Sequence, residues 1–254
     1  MKNYITRLRT NSRPWQICFW WVFRLLMVYA LVKGFLKVPF DITDPLQVGA
    51  NLAGMFAWEI FQAMPEKSFF RHIPSYVQVA SVVGLFLASF GGKFMNFYYD
   101  IAWWDSALHL IGGASGVFIG YELVCAMQKR DKKPSTVPLI LLASIGFSFL
   151  VSTAWELFEF TFDQIACMGG GMGDAQHWSF ELAKGTAKEA TLINPIYPDR
   201  WAIMDTMGDI VLNTIGATLA YVALKIFPYK HKGKCDLNKL YSQQSAQEKE
   251  TVKK

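Results

Sequence analysis

Long apolar runs, separated by short polar segments that carry lysine and arginine, set the pattern of this chain. Residues 15–35, 137–162 and 204–227 each reach the roughly 20 mostly apolar residues that a membrane-crossing helix requires. Residues 106–127 form a fourth run, interrupted by His109 and Glu122. Residues 76–92 are shorter but uncharged, and the run extends through Lys93 towards Phe97, because a lysine stem can lie in hydrocarbon while its ammonium reaches the interface. Residues 46–64 carry Gln47, Asn51, Glu59 and Gln62 and give the weakest of the six runs. The pattern predicts an all-α, polytopic membrane helix bundle of about six transmembrane helices. The first run begins only after Arg13, exceeds the length of a signal-peptide core and lacks a small-residue cleavage site, so a retained helix is expected.

Basic residues orient the bundle. Lys2, Arg7, Arg9 and Arg13 precede the first run, and Lys67 and Arg71 lie between the second and third. Lys129, Arg130, Lys132 and Lys133 lie between the fourth and fifth, and Lys230, Lys232, Lys234 and Lys239 follow the sixth. The opposite connections are poorer in basic residues for their length. Six spans with both termini cytoplasmic place all four basic segments on one side, as expected for a multi-pass protein of a bacterial cytoplasmic (inner) membrane. The net charge of +5 is then explained by anchoring against anionic lipid, and nucleic acid is not expected as a partner. The four cysteines include no CxxC spacing, so neither a structural zinc site nor an intrachain disulfide is supported.

The chain divides into a basic cytoplasmic or interfacial arm (1–14), a six-helix transmembrane domain (15–228) and a polar, charged tail (229–254), expected to be a mobile cytoplasmic extension. One connection, at about 163–203, is long enough to expect a function for it. It holds the run CMGGGMGD, His177, Trp178 and a possible helix near residues 179–190. The glycine run follows a spanning helix rather than a strand and lacks a GK[ST] ending, so it reads as a hinge rather than a phosphate loop.

Three runs carry a pair of ionisable residues one helical turn apart, near one end. The pairs are Asp105 with His109, Glu156 with Glu159, and Asp205 with Asp209. Spacings of three or four residues put both members on one helix face. An ionisable group inside a bilayer costs several kcal/mol unless compensated. In the predicted topology all six side chains lie within roughly 10 Å of the outer boundary, at ~1.5 Å of rise per residue. Basic residues alone set that topology, so the common depth is an independent coincidence. Gly112, Gly116 and Gly120, with Gly208, Gly216 and Ala220, offer small faces for close helix approach. Asn213 lies one turn from Asp209 and is placed to hold it. Arg24, Glu59 and Glu122 form a second, inner-half polar group, for which a local ion pair between Arg24 and Glu59 is the simpler reading.

The segments DSALHLIGG, STAWELFEF and MDTMGDIVLNTIGA resemble the signature segments of the YjdF-like bacterial inner-membrane proteins. The order Asp105, His109, Glu156 or Glu159, Asp209, Asn213 and Gly216 is similar, more remotely, to the VanZ-like membrane proteins. The resemblance covers residues 15–228, with specific matches from about 100 to 217. It implies an integral membrane protein and, through the VanZ-like proteins, a link to glycopeptide resistance at the cell envelope; it implies no reaction.

Three functional readings follow. Five carboxylates and an imidazole at one depth suit a divalent cation of unspecified identity, since oxygen ligands fit magnesium, calcium or manganese and a histidine admits zinc or iron. Asp105, His109, Glu156, Glu159, Asp205 and Asp209 would be its ligands, with His109, Glu156 and Glu159 as catalytic candidates and Asn213, Gly112 and Gly208 in support. The protein would then be a cation-assisted hydrolase or transferase acting on a membrane lipid or lipid-linked envelope substrate at the outer leaflet. The second reading is a proton- or ion-coupled transporter of a small solute, using the inner-half polar residues as well. The third is a structural membrane protein whose polar side chains join its helices. Nothing in the sequence sets the oligomeric state.

Overall fold

The computed structural model describes residues 2–40, 42–131, 135–166, 185–186 and 201–226. Within them the chain is helical: α1 (Lys2–Asn11), α2 (Pro14–Leu36), α3 (Thr43–Ala63), a 3-10 turn (Phe69–His72), α4 (Ser75–Phe86) with a π-helical continuation (Leu87–Phe94), α5 (Phe97–Asp100), α6 (Trp104–Asp131), α7 (Val137–Ala166) and α8 (Trp201–Ile226). The glycine run, His177, Trp178, the possible helix near 179–190 and the tail after residue 229 lie outside the described residues.

The exposed and buried surfaces are inverted relative to a water-soluble domain. Leu25, Leu36, Leu142, Leu150, Leu157 and Leu219 face outward, while Arg24, Asn51, Glu59, Gln62, His109, Glu122, Glu156 and Asp209 are buried. A helix that is apolar around its circumference is stable only inside a large core or a membrane. Among the described residues, five stretches are long and apolar enough to cross a bilayer: Pro14–Leu36, Ser75–Phe94, Trp104–Asp131, Val137–Thr161 and Met204–Ile226. The protein is a multi-pass helical membrane protein.

The weakest run of the sequence, α3, falls short of that hydropathy. Its 21 residues nevertheless extend roughly 31 Å at ~1.5 Å each, about the thickness of the hydrocarbon layer. Three of its polar side chains, Asn51, Glu59 and Gln62, are buried and have partners. Glu59 pairs with Arg24, Asn51 donates to Ser89, and Gln62 donates to the Ile73 carbonyl at 3.0 Å. Low hydropathy here reflects buried polar contacts, with Leu46 and Ile60 left on the outside.

The bundle has two halves. In the first, α2, α3 and α4 with its π-helical end enclose Trp20, Met27, Val48, Leu52, Met55 and Val82. In the second, α6, α7 and α8 enclose Val117, Tyr121, Ile140, Leu141, Ala217 and Leu224. A small cluster of Ile73, Val77 and Ala126 joins α4 to α6. The basic arm is a docked helix: Leu8 of α1 enters the first core, Asn11 donates to Gln62, and Arg71 donates to the Arg7 carbonyl at 2.6 Å.

Candidate metal centre

The second half is drawn together by backbone contact. A Cβ on Gly113 of α6 would collide with the Asn213 carbonyl of α8, and one on Gly216 of α8 would collide with the Leu110 carbonyl. Only glycine allows that approach, the packing that small residues give membrane helices. On another face of α6, a Cβ on Gly116 would stand 2.9 Å from Ser148 Cα of α7, and one on Gly120 2.8 Å from the Ser144 carbonyl. Ser148 Oγ donates to the Gly113 carbonyl at 2.7 Å, tying α7 to the same segment. Gly116, Gly120 and Gly216, expected from sequence to allow close approach, do so. Gly113 makes the tightest α8 contact, a Cβ on Gly112 would meet Asn213 Oδ1 at 3.6 Å, and one on Gly208 would meet no described atom within 4 Å.

One turn from these contacts, side chains from all three helices meet around His109. Its Nε2 lies 3.4 Å from Asp105 Oδ1 on its own helix and 3.5 Å from Asp209 Oδ2 on α8. Its Nδ1 lies 3.8 Å from Glu156 Oε1 on α7 and 2.9 Å from Asn213 Nδ2. Asn213 Nδ2 also donates to the Asp209 carbonyl at 3.1 Å. Glu159 joins His109 and Glu156 in one group, and Asp105, His109 and Asp209 form another; within each, candidate ligand atoms lie within 4.8 Å of one another. Trp155 Nε1 donates to Glu159 Oε1 at 2.9 Å and fixes that carboxylate. Asp205, half-buried one turn before Asp209, belongs to neither group but acts electrostatically on Glu156 and Asp209. Five of the six residues predicted from sequence therefore converge, and the sixth stands at their edge.

Glu156 is 9% exposed, and its Oε1 accepts no hydrogen bond from any described residue. A buried carboxylate oxygen left in that state costs several kcal/mol unless a cation or proton compensates it. One imidazole cannot neutralise four neighbouring carboxylates. The carboxylate oxygens gathered here fit a divalent metal ion, which would remove both the repulsion and the unsatisfied oxygen.

Sequence reasoning did not find Tyr98. The ring of Tyr98 lies against Gly92 of the π-helical segment, where a Cβ would collide with it. Burial, with the carboxylates of Asp105, Glu159 and Asp209 nearby, holds its hydroxyl well above the ordinary tyrosine range, so the phenol stays protonated. A tyrosine in a short aromatic connection (FYYD) gives no linear pattern that would have marked it.

The inner-half residues take no part. Arg24 is paired with Glu59, donates to the Met55 carbonyl at 2.9 Å and lies over the rings of Phe56 and Trp21. Tyr4 of α1 donates to the second oxygen of Glu59 at 2.6 Å. Glu122 accepts from the Tyr76 hydroxyl. The local ion pair expected for Arg24 and Glu59 is what forms, and Glu122 has a separate partner.

Fold and site together define a multi-pass helical membrane protein with a carboxylate–imidazole cluster near one end of three packed helices. The chain belongs to the DUF2238 family of predicted membrane proteins, which matches residues 18–229. An uncharacterised protein of Thermotoga maritima is 30% identical over 100 residues, which cover 39% of this chain and 50% of that relative. The match thus spans about half of the relative's length. No solved structure matches. These matches give no support to the remoter likeness to VanZ-like proteins.

Proposed function

We propose that this chain, as a YjdF-like member of its family in the bacterial inner membrane, binds a divalent cation through the carboxylates around His109. With it the protein would act as a hydrolase or transferase on a lipid or lipid-linked envelope substrate. The observation that carries this reading is the buried Glu156 oxygen without a hydrogen bond, set among Asp105, Glu159 and Asp209. When bound, a divalent cation polarises a phosphoryl or carbonyl oxygen and activates water. Asn213 orients the imidazole.

A lipidic substrate is favoured by what surrounds the half-buried acids. Trp103, Leu157, Phe160, Met204 and Met207 are exposed apolar neighbours in sequence of Asp105, Glu159 and Asp205. An apolar tail could rest on that surface while its polar end meets the cluster. The orientation inferred from basic residues puts this end of the bundle at the outer leaflet.

A specific observation disfavours transport along the second half. Val117, Tyr121, Ile140, Leu141, Ala217 and Leu224 fill the interior on the far side of the cluster. The buried hydroxyls of Ser144 and Ser148 there are turned onto backbone carbonyls rather than lining a polar route.

The test is metal content of the purified protein in detergent, before and after chelation and reloading, with growth of cells challenged at the envelope as the parallel readout. Wild type is expected to hold a stoichiometric divalent cation and to lose it to chelator. Glu156→Gln and Asp209→Asn should lose both the metal and the phenotype. Retention of both by the variants would contradict the proposal.

A further inference from the structure

The sequence offers His109 as a metal ligand, but the surroundings of its two nitrogens argue otherwise. Asn213 approaches Nδ1 through its amide nitrogen at 2.9 Å, and the same nitrogen donates to the Asp209 carbonyl at 3.1 Å. A backbone carbonyl can only accept, so it fixes which end of the amide faces the ring. Turning the amide over would set two oxygens against each other. The Nδ1 facing an N–H donor must therefore present its lone pair and carry no proton. In a neutral imidazole the proton then sits on Nε2, which is the nitrogen lying between Asp105 Oδ1 at 3.4 Å and Asp209 Oδ2 at 3.5 Å. The bare oxygen of Glu156 fits the same assignment, because the nitrogen it approaches at 3.8 Å has no hydrogen to give it.

We propose that Asn213 withholds both nitrogens of His109 from the metal, so that the cation is bound by carboxylate oxygens alone and the site selects a hard ion such as magnesium, manganese or calcium over zinc. The Nδ1 lone pair is engaged by Asn213, and Nε2 carries a hydrogen directed at the Asp105 and Asp209 carboxylates. His109 is then a positioning residue that orients two ligands through its N–H, and Asn213 sets the tautomer that lets it do so. In the usual histidine-ligated site the second ring nitrogen instead donates to a carboxylate or carbonyl, leaving the first free for the metal. An amide nitrogen in that second position reverses the arrangement.

This inference rests on the proposed cation site, and the two fail separately. The experiment loads chelator-stripped, full-length protein with Mn²⁺ in detergent and records pulsed electron paramagnetic resonance, with Zn²⁺ competition read by metal analysis. Wild type is expected to bind Mn²⁺ without the coupling of a directly ligated imidazole nitrogen. Asn213→Ala removes the donor at Nδ1, which lets the hydrogen move to Nδ1, on the side of Glu156, and frees the Nε2 lone pair. That variant should acquire the nitrogen coupling, and its preference for Zn²⁺ over Mn²⁺ should rise by on the order of tenfold, the scale on which outer partners of a ligand act. A directly ligated nitrogen in wild type, absent from His109→Gln, would overturn the inference while leaving the cation site standing. No bound Mn²⁺ in wild type would overturn the cation site, and this inference with it. The wild-type spectrum decides even if the variants fail to fold.

Discussion

Among the described residues, two clusters of buried ionisable side chains, one in each half of the bundle, are completed in opposite ways, while Glu122 stands apart with Tyr76. Arg24 and Glu59 cancel each other's charge, although Arg24 Nε, like Glu156 Oε1, meets no hydrogen-bond partner among the described residues. The guanidinium is 1% exposed and held by Glu59, the Met55 carbonyl and two aromatic faces, while Tyr4 satisfies the other carboxylate oxygen. Around His109, acids from three helices share one imidazole, and a buried Glu156 oxygen accepts no hydrogen bond. Cost inside a membrane is common to both groups, so cost alone does not identify a site. What separates them is whether the protein itself supplies the compensating charge.

The comparison is broken most strongly at Arg24. Arg24→Ala leaves Glu59 buried and unpaired and should destabilise the protein by about 3–5 kcal/mol, seen as a large fall in thermal unfolding temperature in detergent. Replacing Arg24 and Glu59 together by methionine and leucine should recover most of that loss, because well-packed apolar residues often match a buried ion pair. Equivalent loss in the double variant would mean that the pair does more than close on itself.

Packing behind the site gives a smaller, sharper contrast. Gly216→Ala drives a methyl into the Leu110 carbonyl and should cost roughly 1–3 kcal/mol, with weakened metal binding as α8 shifts away from His109. Gly208→Ala meets no described atom within 4 Å and should be neutral or stabilising by up to about 1 kcal/mol. Thermal unfolding of both variants checks the assignment of faces. Glu156→Gln removes an uncompensated charge, so metal-free protein should lose no stability and unfold at the same or a higher temperature, in contrast to Arg24→Ala.

The smallest effect is expected at Tyr4→Phe, about 1 kcal/mol for one hydrogen bond. Burial and the hydrogen bond to Glu59 raise the Tyr4 hydroxyl above its ordinary value. A group raised on folding stabilises below its unfolded pKa and loses that contribution as pH climbs through its folded one. The gap between wild type and Tyr4→Phe should therefore persist across neutral pH and close only in strong alkali.

The helices and the common level of the site residues along them were legible in the sequence because both rest on local pattern. The runs at 15–35, 137–162 and 204–227 became α2, α7 and α8 with small changes at their ends. The pairs Asp105–His109, Glu156–Glu159 and Asp205–Asp209 could be placed at one level from basic residues and helical rise alone. Rotation about each helix axis was not legible. Gly112 and Gly113 are adjacent, and only the packing of α8 decides that Gly113 meets Asn213. Partners brought in by tertiary contact were also hidden, as with Tyr4 at Glu59, Tyr76 at Glu122 and Tyr98 at Gly92. The π-helical stretch Leu87–Phe94, ended by the Met95 N–H on the Phe90 carbonyl at 2.8 Å, has no periodic sequence signature.

Titration calorimetry of Mn²⁺ into chelator-stripped wild type, Glu156→Gln and Asp209→Asn tests the central claim most directly. Saturable, stoichiometric binding by wild type that both variants lose, while their folds persist by circular dichroism, is the predicted result. Absence of saturable binding by wild type, or equal binding by the variants, would contradict it.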